Sequence, residues 1–438
     1  MATIHVDPEW PTTGTGTFED PYKSWASTTT MTAGNSYLQA EGTTFVGTLG
    51  GPLGTGGTAA APIIIGVYSR VDGSQVSRRG AAAINATGQS FGINITSARP
   101  YVIVDGLEIY GATSANITKT AASKSESQYC EFRNLLLHDG IADGLLASGK
   151  GNKVIDCHIY GNGQDGARFV GDDLEVSGNH MWGNGTTNVD GDCCQLLNCS
   201  NPYVHGNIFD HTASIYKQAL IHNRDDGAST GGLFVDNDIL CVQYTGGAAL
   251  KSLFCGVPGA KFSGNRISGG QYGAFLEAAD ITFASNEVVV SGSSTVVGVA
   301  LRGTGIDVLG NTVVGGGGDA DSIGIDHDNA ANTGCTIVGN ALLSWPVAIR
   351  TDGATYSHNA FDDCTVRNGD AASAEGTAGT GDVVADLGVG PDYRPRASSP
   401  LIGAGSHFGY GLDADGNLRW NPPTIGAYEY VRPRDERT

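Results

Sequence analysis

Six titratable side chains, His222, Lys251, Glu277, Arg302, Asp326 and Arg350, follow one another at intervals of 24 to 29 residues, each closing a short apolar segment. Only 16% of the chain is charged, so the series is out of proportion to the composition. Glycoside hydrolysis needs two carboxyl groups flanking the scissile bond, roughly 5–5.5 Å apart for retention or 6.5–9.5 Å for inversion. Glu277 and Asp326 are a candidate pair, with Arg302 between them to bind substrate or hold a carboxylate ionised. β-Elimination instead needs a base for the proton next to a uronate carboxylate, and a cation or metal to neutralise that carboxylate. Lys251 as base and Arg302 as neutraliser meet that description. The series reads equally as a solvent-exposed salt-bridge ladder with a structural role.

The elements that carry these residues repeat. A turn phrase, often Gly-Asn before an apolar residue, recurs around Asn134, Asp156, Asn179, Asn207, Asn237, Asn265, Asn286, Asn311, Asn340 and Asn359, at steps of 19 to 30 residues. Short β-rich units at such a period form solenoids, because one unit cannot bury its own apolar face and must stack on its neighbours. The Asn is expected to point inward and bond the next amide in a polar ladder. The chain is therefore predicted to be all-β, a single-stranded right-handed parallel β-helix with N- and C-terminal capping segments. Its predicted divisions are an entry segment (1–75), the helix (76–365) and a closing segment (366–438).

Aligning the strands LLAS (145–148), ARFV (167–170), CQLL (194–197), ALIH (219–222), AALK (248–251), AFLE (274–277), VALR (299–302), IGID (323–326) and VAIR (347–350) puts apolar residues at every first and third position. Side chains alternate across a strand, so these face the core, among them Ala248, Leu250, Leu276 and Leu301. The fourth position faces out and carries the charged series. With rungs ~4.8 Å apart, Glu277 and Asp326 stand ~9.6 Å apart in this alignment. The second position also faces out; Arg168 and Phe275 occupy it, while Ala300, Gly324 and Ala348 leave room for a ligand. Phe275 suits a sugar ring, and Tyr216, Tyr244 and Tyr272, just ahead of their strands, are expected along one edge. His222 and Arg350 extend the binding face.

Composition bounds the partners. A net charge of −20 and a pI near 4.7 exclude nucleic acid and disfavour a polyanion unless basic groups are concentrated locally. The longest apolar runs, such as APIII (61–65), are far too short to span a bilayer, so no membrane insertion is expected. Nine cysteines form no Cys-x-x-Cys pattern and are expected as reduced, apolar core fillers. MATIHVDPEW shows no basic and apolar signal regions. No cofactor is required and no metal ligand set is assigned. Ca²⁺ remains possible at Asp-rich turns, either at a corner of Asp143, Asp165 and Asp190 or Asp192, or in DADSIGIDHDN (319–329) with His327; Asp-Gly turn chemistry is the alternative for the first and a solvated loop for the second.

The opening run from Val6 through DPYKSW (20–25) to AGNSYLQAEGTTFVGTL (33–49) resembles that of pectate-lyase-like β-helix proteins. SSPLIGAGSHFGYGLDADGNLRWNPPTIGAYEY (398–430) resembles their closing segment, whose Trp420, Pro422, Pro423, Tyr428 and Tyr430 suit a cap over an exposed edge. AALKS (248–252) resembles the Lys strand of chondroitinase B-type lyases, although Glu277 stands where those have Arg. NVDGDCC (188–194) resembles the paired-Asp strand of polygalacturonases, without their later Gly-His-Gly or Arg-x-Lys. That superfamily includes lyases, hydrolases, epimerases and phage tailspikes. The resemblance implies a polysaccharide partner bound along one exposed sheet. It implies either a virion-associated spike, with a homotrimer and other virion proteins as partners, or a secreted lyase or hydrolase. A non-catalytic receptor-binding spike is the third option.

Overall fold

The computed structural model describes residues 2–28, 30–49, 56–96, 99–186, 191–213, 218–246, 249–368, 378–406 and 411–431. Among them every regular element is a strand, apart from one 3-10 turn at Trp25–Ser27. The strands form three parallel sheets, A, B and C, each visited once per coil; successive strands of one sheet are joined through the other two, the right-handed crossover of a β-helix. The chain divides into two compact units, Met1–Ser229 and Thr230–Thr438.

The Gly-Asn phrase marks the turn from sheet A to sheet B. Its first residue adopts a left-handed conformation (Gly264 φ 68°, Ser285 φ 56°, Gly310 φ 59°, Gly339 φ 71°), which glycine enters without steric cost. The next residue turns inward. In the second unit Asn237, Asn265, Asn286, Asn311 and Asn340 each donate their side-chain amide to the following Asn, at 2.9–3.1 Å, ending at Asn359. In the first unit Asn179 bonds Asn207 in the same way at 2.9 Å. Asn134 and Asp156 are left-handed residues themselves (φ 52° and 53°), so the inward position of their coils falls to Leu135 and Cys157. A second amide ladder, Asn116, Asn162 and Asn184, lies between sheets B and C.

In the first unit pairing begins with Thr3–Val6 against Ser36–Ala40, inside the predicted entry segment. Its core is stacked columns of like residues. Phe132, Val154, Val176 and Val204 follow one another in sheet A, and Leu137, Ile159, Met181 and Phe209 in sheet B, all essentially inaccessible. Each such side chain contributes about 1.5–3 kcal/mol by leaving water.

In the second unit Phe234, Phe262 and Phe283 stack in sheet A, with ring centroids 4.5 and 6.2 Å apart. The last coil continues past the predicted boundary, since Val366–Asn368 pairs with Val347–Thr351 and Val383–Val384 with Ala360–Asp362. The closing segment then runs along the flank of the coils. Leu387, Leu401 and Ile425 pack on Val314, Ala341, Leu343 and Ala360, covering the outer face of sheet B. Arg419, its side chain 2% exposed, reaches Ser285 Oγ at 2.9 Å and ion-pairs with Glu429 at 3.6 Å. Tyr428 is buried and bonds Glu287, whereas Trp420 stays 41% exposed.

Candidate functional site

In the second unit, sheet C runs through Lys251–Cys255, Tyr272–Leu276, Val297–Leu301, Ile323–His327 and Val347–Thr351 to Val366–Asn368. Leu253, Ala274, Val299, Ile325 and Ile349 form the inward column, flanked outside by Phe254, Phe275, Ala300, Asp326 and Arg350. This register departs from the sequence alignment. Ile325 lies opposite Val299 where Leu301 was expected, a slip of two, and Leu276 lies opposite Cys255 where Leu250 was expected, a slip of five. Both alignments satisfy apolar alternation, and Leu250 is still buried, just outside its strand. Ala248 lies outside the described residues.

The charged series consequently splits into two adjacent outward columns. Arg302 follows Leu301, which lies opposite Leu276 just before Glu277; Asp326 and Arg350 stand in the Phe275 column. Arg302 contacts Asp326 at 2.6 Å and Asp328 at 3.0 Å, while Arg350 contacts the same two carboxylates at 2.6 and 3.1 Å. Asp326 is 1% exposed, and each of its oxygens accepts from a different guanidinium. Asp328, which the sequence alignment missed, closes this square. Glu277 is exposed, and two rungs plus two residues along the strand put its Cα about 12 Å from that of Asp326.

Lys251 lies opposite Tyr272 and curls over the outer face, its Nζ 4.1 Å from the Phe275 ring centre and 4.5 Å from that of Phe254. The Arg302 guanidinium is 5.7 Å from the Phe275 ring, and Tyr272 meets that ring edge-on at 5.2 Å. Phe275 thus lies within cation–π reach of both Lys251 and Arg302. Gly324 and Ala348 do not make room for a ligand as expected: they take an inward corner, where a Cβ on Gly324 would lie 2.8 Å from Leu342. Ala300 is fully covered by its neighbours.

His222 is a further correction. It pairs with core residue Leu196 and is inaccessible, because Cys194 lies opposite Leu220 and not Ala219. Tyr244 is buried, and Tyr216 lies outside the described residues. Arg168 faces out in the first unit, 3.5 Å from Asp143. Asp143, Asp165 and Asp192 do stack there, each accepting the backbone N–H of Asp165, Asp192 and Gln218 respectively at 2.9–3.3 Å. Burial pushes the Asp143 carboxyl up, partly offset by Arg168. Asp190 lies outside the described residues. In the segment 319–329, His327 ends the strand Ile323–His327, turns inward and bonds the Asn332 carbonyl at 2.8 Å. Among the described residues, no three His, Cys, Asp or Glu side chains gather as a metal site.

A three-sheet parallel coil stack with ladders of inward amides defines a β-helix protein. The family model "Right handed beta helix region" matches residues 91–313, and the chain belongs to that family. Among solved structures, XylC in complex with xylose is 9% identical, with 98% of each chain covered and a TM-score of 0.54. The PL6 family alginate lyase AlyGC is 12% identical over 98% of this chain and 59% of its own, with a TM-score of 0.52. Pectate lyase Pel9A is 17% identical over 98% and 97%, with a TM-score of 0.46. At these identities the likeness shows the fold. Comparison with curated proteins gave no match.

Proposed function

We propose that the outer face of sheet C in the second unit binds a polysaccharide carrying carboxylate groups and cleaves it by β-elimination. One observation carries this reading: Lys251 and Arg302 both lie close to the Phe275 ring, at 4.1 and 5.7 Å from its centre. An aromatic face takes the apolar side of a sugar while the Arg302 guanidinium takes its carboxylate. Lys251 is assigned the base, Arg302 the neutralising cation, and Glu277 a substrate contact on the exposed rim. The proton next to the uronate carboxylate goes to the base, the bond between the β-carbon and the glycosidic oxygen breaks as the ring double bond forms, and the departing oxygen takes a proton from solvent, so that an unsaturated uronate and a new reducing end result. Hydrolysis is the weaker alternative, since Asp326 offers no oxygen outside its two arginine contacts. The likeness to a PL6 family alginate lyase supports this class of substrate.

The biological setting we propose is a virion-associated, tailspike-like protein acting on a host surface glycan. Its support is nine free cysteines, eight of them buried, which suit assembly in a reducing cytoplasm. A homotrimer belongs to that setting, and a secreted enzyme is the alternative.

The test is incubation with a panel of uronate-containing and neutral glycans, following ultraviolet absorbance of unsaturated products and new reducing ends. Both signals together support elimination, and reducing ends alone support hydrolysis. Lys251→Ala should lower the elimination rate by about 10²–10⁴-fold. An unchanged rate would refute the assignment of the base.

A further inference from the structure

The first unit holds a pocket with an aromatic side of Trp10, Phe18 and Tyr68 and a polar side of Asp7, Glu9 and Arg70. It forms where the sheet A strands Thr3–Val6 and Ile63–Tyr68 meet the loop of residues 7–22. Buried His5 locks the aromatic side, edge-on to Tyr68 at 4.7 Å and to Phe18 at 5.7 Å. Two features point to a ligand. Tyr68 is 2% exposed, yet its hydroxyl has no hydrogen-bond partner among the described residues. Burial, with Asp7 nearby, pushes that phenol up to about 12, so it stays a neutral donor across the working range. A hydroxyl at the wall of a pocket with no protein partner is a donor free for a bound molecule.

The second feature is charge. Arg70 contacts Asp7 at 2.7 Å and Glu9 at 3.0 Å, and Glu19 also lines the pocket, so three carboxylates face one guanidinium. The surplus is negative, beside aromatic faces that attract cations and the apolar side of a sugar ring. That combination repels a uronate.

We propose that this pocket binds a protonated amino sugar, its ring against Trp10 and Phe18, its ammonium toward Glu9 and Glu19, and a hydroxyl bonded to Tyr68. The site is separate from the sheet C chemistry, so either can fail alone.

The test is calorimetric titration of the full chain with D-glucosamine, N-acetyl-D-glucosamine, D-glucose, D-glucuronate and Nα-acetyl-lysine amide. Glucosamine should bind about tenfold more tightly than its N-acetyl form or glucose, the size of one charge-assisted hydrogen bond to a carboxylate. Tyr68→Phe should weaken it about fivefold at unchanged melting temperature, because the hydroxyl makes no internal bond. Trp10→Ala should abolish it. Equal binding of glucose or glucuronate, no binding at millimolar ligand, or an unaffected Tyr68→Phe would overturn the proposal. Equally tight binding of the lysine amide would overturn the sugar and leave a peptide site.

Discussion

Replacing Asn286 is the sharpest test of what holds the coils in register. Its Oδ1 accepts from the Asn265 backbone N–H at 3.0 Å and from the Asn265 side chain at 2.9 Å. Its Nδ2 donates toward Phe262 O, Ala284 O and Asn311 Oδ1, each at 3.1 Å. Asn286→Ala leaves the Asn265 N–H buried and without this acceptor, costing about 1–3 kcal/mol, and removes further bonds worth about 0.5–1.5 kcal/mol each. The expected loss is about 3 kcal/mol. Asn286→Asp preserves shape and both Oδ1 bonds but turns an oxygen toward three acceptors. At neutral pH it should therefore be worse than Ala, despite being isosteric. Those acceptors raise the introduced carboxyl in the folded state, so its deficit should shrink as pH falls toward about 4, where the acid becomes a donor. Urea unfolding followed by circular dichroism gives the ranking. Hydrogen exchange should locate the loss in the coils of Asn265 and Asn286, since solenoid stability is set by nearest neighbours. An Asp variant as stable as the parent at pH 7 would refute the ladder as a directional chain of donors.

Asp326→Ala should cost about 2–3 kcal/mol in the same assay, below the usual 3–5 for a fully buried pair because Arg302 and Arg350 keep Asp328 and some water; a change under 0.5 would show the square to be ornamental. Asp143→Asn keeps the bond to the Asp165 N–H and removes a buried charge. Because the Asp143 carboxyl is raised on folding, its cost is present at neutral pH and fades as pH falls toward about 4. The variant should melt higher at pH 7, with the gap closing in acid; a gap that widens in acid reverses the sign. Thiol titration of the native protein should be slow, since eight of nine cysteines are buried and burial pushes the remaining Cys364 thiol up to about 11. Fast labelling of several thiols would contradict that burial.

The solenoid was legible because its signal is repeated and local. One left-handed residue followed by one inward amide leaves a Gly-Asn trace in many coils, and each trace fixes a turn. The trace misleads only where the left-handed residue is itself Asn or Asp, as at Asn134 and Asp156. The closing segment was legible as apolar cover but not in its place. Trp420 and Tyr428 look alike in sequence, and only the burial of Arg419 against the coils of Ser285 and Gly310 shows a strap along the flank.

The site was half legible because alternation is blind to even slips, and short apolar runs satisfy odd ones too, as at Leu276 and His222. Moving Ile323–His327 by two keeps every core residue inside, yet it changes which charges meet and hides Asp328. A better anchor was present in the sequence. At the start of sheet C one extra residue points inward against sheet B, where Cβ atoms on Gly144, Gly273, Gly298 and Gly324 would lie 2.5–2.8 Å from Ile159, Val288, Val313 and Leu342. That corner admits only small side chains. Aligning Ser252, Gly273, Gly298, Gly324 and Ala348 on it reproduces the observed pairs Lys251 with Tyr272, Val297 with Ile323, and Ile323 with Val347. In the first unit Gly144, Gly166, Cys193 and Ala219 do the same, which turns His222 inward. Steric exclusion at one corner therefore carries the register, and with it the identity of the residues that face a ligand.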